Sequence, residues 1–98
     1  MRYEIEITEA ARVDLSFFEV YERKTILTAI REQLSHEPLK ETRNRKKLRE
    51  NPLAKWELRC GKYRIFYEVR ENIVTVGIIA VGWKKHNELY IRNKEVKI

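Results

Sequence analysis

Residues Arg2 to Thr8 alternate strictly, with Tyr3, Ile5 and Ile7 on one side and Arg2, Glu4, Glu6 and Thr8 on the other. That is the pattern of a strand buried on one face. Thr8 is placed to cap a helix, and Glu9 falls in the first turn, where a negative charge favours the helix dipole. Beyond it Ala10, Val13, Phe17 and Val20 share a face, with Ala11, Leu15 and Phe18 close beside them. A second helix is predicted from near Arg23 or Lys24, turning Ile26, Leu27, Ile30 and Leu34 to the core and Arg31 and Glu32 to water. The short connection makes the two helices antiparallel neighbours, and Pro38 stops the second.

After Pro52 the period changes to two. Trp56, Leu58 and Cys60 alternate with Lys55, Glu57 and Arg59, Gly61-Lys62 makes a tight turn, and Tyr63, Ile65, Tyr67 and Val69 alternate with Arg64, Phe66, Glu68 and Arg70. Glu71-Asn72 turns again. The run Ile73 to Val81 is apolar at both parities, which marks a central strand covered on both faces. The tail from Lys84 to Ile98 is too sparse in apolar residues for an assignment. The resulting order is β-α-α-β-β-β, an α+β fold with a mainly antiparallel four-stranded sheet and a helical hairpin on one face. Tyr63, Ile65 and Tyr67 should face the helices, with Trp56 and Trp83 on the core side and Cys60 a small buried hydrophobe. Lys55, Glu57, Arg59, Arg64, Phe66 and Glu68 then form a charged face. Ala80 and Gly82 share the parity of Lys84, so small residues there leave a hollow that ends in a cation.

Composition narrows the classes of function. The 98 residues fit one domain, spanning 1–98, and a 43% hydrophobic content with three glycines and two prolines argues against a disordered or repeat-built chain. The charged N-terminus does not read as a secretory signal, and no stretch is long enough to span a bilayer, so no membrane partner is expected. A lone cysteine points to the reducing cytoplasm. With only His36 and His86 beside it there is no zinc-type spacing, and no cofactor is expected. Net charge is +6, but its distribution is more telling: residues 1–39 carry five bases against eight acids, residues 40–98 sixteen against seven. The segment Lys40 to Arg49 alone holds Lys40, Arg43, Arg45, Lys46, Lys47 and Arg49, with Glu41 its only acid and Leu48 its only apolar residue. It should cross the surface as a loop or helical turn and attract phosphates such as those of ribosomal RNA, aided by Arg59.

A hollow lined by Arg, Lys, Glu and Tyr suits a phosphodiester, because cations hold the backbone while bases stack on aromatic rings. Arg64 and Lys84 could supply positive charge at the reacting phosphate, and RNA brings its own nucleophile in the 2′-hydroxyl, so such a site needs no metal. From the chemistry alone, Glu57 could serve as base and His86 as acid.

The stretch Lys47-Leu48-Arg49, then Trp56-Glu57-Leu58-Arg59-Cys60-Gly61-Lys62-Tyr63-Arg64-Ile65-Phe66-Tyr67-Glu68-Val69, resembles the central signature of the RelE/ParE toxins of toxin–antitoxin pairs. Val81-Gly82-Trp83-Lys84, followed by Glu88-Leu89-Tyr90, is similar to the closing motif. The resemblance implies one of two activities. The RelE branch cuts mRNA in the ribosomal A site by 2′-hydroxyl attack, and the ParE branch poisons DNA gyrase. For the RelE branch, which is favoured, it implies that Arg64 stabilises the transition state, that Tyr90 stacks on or orients a base, and that Lys55 belongs to the site. It also implies a small antitoxin whose acidic segment wraps the toxin, besides ribosome and mRNA as partners. The chain departs from the pattern in Glu57, where a second lysine is common, in Lys84, usually Arg and lacking its bidentate fork, and in Trp83. A toxin weakened in catalysis and kept as a regulator is the third alternative.

Overall fold

The computed structural model describes residues 1–98, and its first strand forms where the alternation places it. Strand β1 (Glu4–Ile7) runs parallel to β5 (Thr75–Lys85), setting Ile5 opposite Val76 and Ile7 opposite Ile78. Thr8 closes the strand and opens helix α1 (Glu9–Leu15): its Oγ1 accepts from Ala11 N at 3.2 Å and donates to the Ile78 carbonyl at 2.8 Å. One side chain thus caps the helix and ties it to the sheet.

The helices differ from the expected pair. Helix α1 stops at Leu15, and α2 (Val20–Leu34) starts three residues before Arg23, because the Glu22 carboxylate accepts from Glu19 N at 3.1 Å and fixes the first turn there. Val13, Phe17 and Val20 consequently do not seal the core; they are 36%, 50% and 57% exposed, while Ala11 and Leu15 are buried. Ile26, Ile30 and Leu34 are buried as their spacing predicts. Each helix packs chiefly on the sheet, α1 against β5 and α2 against β3 (Trp56–Cys60) and β4 (Tyr63–Arg70).

The sheet has seven strands, not four. Its order is β2-β3-β4-β5-β6-β7, with β1 joined to β5, and the additional strands are β2 (Arg45–Lys47), β6 (Glu88–Ile91) and β7 (Lys94–Val96). The expected surface loop at Lys40 to Arg49 is therefore part strand, pairing along the edge of β3 with Lys46 opposite Glu57. The tail folds into a hairpin through two tight turns. His86 and Asn87 adopt φ of 54° and 69°, and Arg92 and Asn93 φ of 53° and 64°. Positive φ at both central residues is the turn geometry that matches strand twist, and Asn tolerates it well. Gly61, at φ 59°, begins the β3–β4 turn, whereas Glu71-Asn72 forms a 3₁₀ turn (Glu71–Ile73).

Under the helices lies the main core, in which Trp56, Leu58, Ile65, Tyr67, Val76, Ile78 and Val81 meet Ala11, Leu15, Ile26, Ile30 and Leu34. Its polar groups are paired: Tyr67 Oη donates to the Pro38 carbonyl at 2.8 Å. Between Phe66/Tyr67 of β4 and Ala80/Ile78 of β5 the register slips by one residue at a bulge. The bulge lets Ile78 and Val81 face the helices while Ala80 faces the other way.

That other face is not simply charged. Phe66, Ala80, Ala54 and Leu89 form a second apolar cluster on it, flanked by Leu48, Leu53, Ile79, Ile91 and Val96. The β6–β7 hairpin crosses over it, and the crossing requires Gly82. A Cβ at that position would lie 2.4 Å from the Tyr90 carbonyl oxygen and 2.9 Å from Ile91 Cγ1. The small residues expected to leave an open hollow are instead covered by the hairpin. No helix is long and apolar enough to cross a membrane.

Two predictions follow from this packing. Gly82→Ala should cost about 1–3 kcal/mol, the usual range for overpacking against atoms that cannot retreat, measured by urea unfolding. An unchanged midpoint would show that the hairpin does not press on the sheet. The second concerns Tyr63, whose hydroxyl donates to Glu22 Oε2 at 2.8 Å. Together with the bond from Glu19 N, it holds the Glu22 pKa below the ordinary carboxylate value. A carboxylate depressed in the folded state adds stability that is complete above the unfolded pKa and lost as pH falls through the folded one. Tyr63→Phe should therefore be less stable than wild type at pH 7, with the gap closing below about pH 4; a gap independent of pH would contradict the assignment.

Candidate functional site

Strand parity puts Glu57 and Arg59 of β3, Phe66 and Arg64 of β4, and Ala80, Gly82 and Lys84 of β5 on the face away from the helices. The hairpin, leaning over Gly82, stops short of β3. Between them lies a hollow of about 390 Å³, with Glu57, Arg59 and Lys84 on one side and Leu89, Val96 and Ile98 on the other. Leu48, from the segment after β2, closes one end, and Glu88 and Glu95 contribute to the rim.

Glu57 is the charged centre of this arrangement. Its side chain is only 4% exposed, and its two oxygens meet different arginines, Oε1 with Arg59 Nε at 3.1 Å and Oε2 with Arg64 Nε at 3.9 Å. Burying a carboxylate is costly without such partners. Two guanidiniums on one carboxylate leave a local excess of positive charge on this wall, to which Lys84 adds, while Glu88 and Glu95 on the rim, with Lys97, balance the lining as a whole.

The arginines are differently situated. Arg64 is 14% exposed, and its Nη1 donates to the carbonyls of Gly61 at 2.7 Å and Tyr63 at 2.9 Å, bracing the β3–β4 turn. Its Nε is buried without a hydrogen-bond partner. Burial lowers its pKa, opposed by the charge of Glu57 and reinforced by that of Arg59, yet a guanidinium stays protonated at any physiological pH. Arg59 is 45% exposed and uses only Nε on Glu57.

The other anticipated residues are dispersed. Tyr90 lies directly across from Trp83, and the two rings stack with centroids 4.6 Å apart and planes 18° from parallel. Lys84, the next residue, points to the opposite face, so the expected grouping of Tyr90 with Arg64 and Lys84 on one strand face is corrected. Burial raises the Tyr90 pKa, helped by Glu88, to which its hydroxyl donates. Trp83 accordingly packs on Tyr90 and is half-buried. His86 is exposed at the tip of the β5–β6 turn and does not line the hollow. Lys55 precedes β3 and lines a neighbouring recess with residues 47–54 and Glu68.

The cationic run divides in the same way. Lys40, Arg43, Lys47 and Arg49 are exposed, and Lys46 lies half-buried opposite Glu57. Arg45 is taken up structurally: it donates to the Gln33, His36 and Lys40 carbonyls, satisfying the C-terminal end of α2. No group of three His, Cys, Asp or Glu side chains is arranged to hold a metal ion.

Sequence reasoning missed Asp14 and Arg92. Asp14 is a helix residue, yet its carboxylate is 3% exposed, accepting from Val81 N at 2.9 Å and from Arg92 Nε at 2.6 Å. Arg92, in the β6–β7 turn, also donates to the Ala10 carbonyl at 3.1 Å. This pair fastens the hairpin, and with it one wall of the hollow, to α1. The signal that could have found it is Arg92-Asn93, a turn dipeptide between apolar Leu89, Ile91 and Val96.

The chain is similar to known proteins over most of its length. The family of ParE toxins of type II toxin–antitoxin systems (parDE) matches residues 5–88. Among solved structures, a chain of the RelBE2 toxin–antitoxin complex from Mycobacterium tuberculosis is 28% identical, with a TM-score of 0.75, covering 86% of this chain and 93% of that one. A chain of the archaeal RelE–RelB complex from Pyrococcus horikoshii shares the fold at 20% identity and a TM-score of 0.68, covering 88% and 99%. No curated protein matches the chain in sequence.

If the Arg92–Asp14 pair holds the wall, Arg92→Ala should speed amide exchange across residues 88–96 while leaving β3 and β4 protected, measured by hydrogen–deuterium exchange. Uniform protection across all strands would show that the pair is dispensable.

Proposed function

The chain belongs to the ParE toxin family of type II toxin–antitoxin systems, and from that premise we propose that this toxin acts by cutting mRNA on the ribosome. The observation that carries the reading is the buried Glu57 between two arginines, on the wall of a hollow that also holds Lys84. A phosphodiester entering there meets a base in Glu57 and cations on the same wall in Arg59 and Lys84, the two requirements of 2′-hydroxyl attack without a metal. Glu57 takes the 2′-hydroxyl proton as the 2′-oxygen bonds to phosphorus. The bond to the 5′-oxygen breaks, leaving a 2′,3′-cyclic phosphate, and the leaving oxygen takes a proton from water or a nearby acid. Lys84 and the arginine side chains stabilise the charge on the phosphoryl oxygens. The exposed Lys40, Arg43, Lys47 and Arg49 lie outside the hollow and suit contact with ribosomal RNA. Its partner is an antitoxin, as in the complexes that contain its structural relatives, and its place of action is the cytoplasm.

A second reading, inhibition of DNA gyrase by binding alone, is favoured by the match to the ParE family. Under it the Glu57–arginine cluster is a structural ion network.

The two are separated by cell-free translation of a defined message read by primer extension, beside a gyrase supercoiling assay. Wild type should cut at codon-related positions, and Glu57→Gln, which keeps the shape of the side chain, should cut about 100-fold or more slowly. Intact message together with arrested supercoiling would establish the second reading instead.

A further inference from the structure

Beside the hollow lies a second recess of about 480 Å³, enclosed by residues 47–55 and Glu68. A smaller depression lined by Leu48, Arg49, Asn51 and Ile98 shares residues with both, so the three adjoin along one track. Lys47 and Arg49 reach the recess from one arm of the segment and Lys55 from the other, against Glu50 and Glu68. All three cations are exposed, and the ion pairs of the protein lie elsewhere, so none of them is committed to a carboxylate.

A single amide holds the two arms. Asn51 Nδ2 donates to the Arg49 carbonyl at 2.7 Å and the Ala54 carbonyl at 2.9 Å, and its Oδ1 accepts from Leu53 N at 2.8 Å and Ala54 N at 3.1 Å. Every donor and acceptor position of the side chain is used. At the base Leu48 N donates to the Lys55 carbonyl at 2.8 Å, and Leu53 and Ala54 belong to the second apolar cluster. The segment has no glycine and no residue at positive φ, so the amide, not an unusual backbone conformation, sets its shape.

We propose that this recess is a second phosphodiester site, taking RNA backbone beyond the hollow, and that Asn51 is the positioning residue that presents Arg49 and Lys55 to it. The inference rests on the ribonuclease reading. Three bases against two acids make a weak trap for a free anion. They suit one phosphate of a polymer already held at the hollow, for which binding at the recess is an intramolecular event. Asn51 bonds only within its own segment and makes no hydrogen bond to the groups that hold Glu57. Its loss should therefore weaken the hold on RNA and spare the chemical step.

The test titrates a 2′-O-methyl RNA hexamer, which carries several phosphodiesters and no nucleophile, into the full chain over a range of salt. Arg49→Gln and Asn51→Ala should each weaken binding about five-fold and flatten the salt slope by about 0.7, the share of one phosphate on a single strand. Arg49→Lys should restore part of the loss. The double variant should fall short of the product of the two effects, because Asn51 acts through the cations it places. In the primer-extension assay Asn51→Ala should raise KM with kcat little changed, and unfolding midpoints establish that each variant is folded. A parallel titration with message-free ribosomes separates the sources of phosphate. Weaker hexamer binding places the message in the recess, and weaker ribosome binding alone places ribosomal RNA there. Unchanged binding to both, or multiplicative effects in the double variant, would overturn the assignment. Binding through the recess by a protein that cuts no message would overturn the ribonuclease reading and leave the phosphate site standing.

Discussion

Asp14 carries a charge out of water on the inner side of α1, and the shape of the hollow follows from how that charge is satisfied. β1 ends at Ile7, so beyond Ile78 the edge of β5 has no strand partner on that side until β6 begins. The Asp14 carboxylate fills the gap by accepting the Val81 N–H, and its second oxygen takes Arg92 from the far hairpin. A buried carboxylate with one partner removed is strongly unfavourable, so helix, central strand and hairpin are held to one arrangement. Gly82 lets the hairpin approach and the Asp14–Arg92 pair keeps it there.

The hollow repeats the same physical theme with the opposite balance. Where Asp14 is matched by one backbone N–H and one guanidinium, Glu57 faces two guanidiniums with a lysine nearby. The first arrangement is saturated and structural. In the second, cationic donors exceed the acceptors, including a buried Nε with nothing to bind. Such an imbalance is tolerated where a ligand anion completes it. The apolar wall of Leu89 and Val96 excludes water from one side and strengthens each charge interaction inside.

Much of this was readable in the chain. The alternation through β1, β3 and β4 gave strands whose faces are those observed, since one side of each is buried by the helices. The helix boundary was misread because Val13, Phe17 and Val20 match helical spacing while lying in water, and no periodicity distinguishes an exposed apolar stripe from a buried one. Ile73 to Val81 is apolar at both parities, so its bulge left no trace in the pattern. Strand β2 was hidden by its composition, three basic residues whose ladder with β3 is set by tertiary context. Of the site residues, Glu57, Arg59, Arg64 and Lys84 fell together because parity alone places them on one face. Tyr90 did not, because its position depends on a hairpin register that sparse apolar residues could not define.

The central claim is that the scissile phosphate of an mRNA occupies the hollow beside Glu57. A cryo-electron microscopy structure of the Glu57→Gln protein on a ribosome carrying uncut message addresses it most directly. The account predicts the phosphodiester between Arg59 and Lys84, with the exposed cations of the β2 edge against ribosomal RNA. A message that passes the protein elsewhere, leaving the hollow without a phosphate, would contradict it.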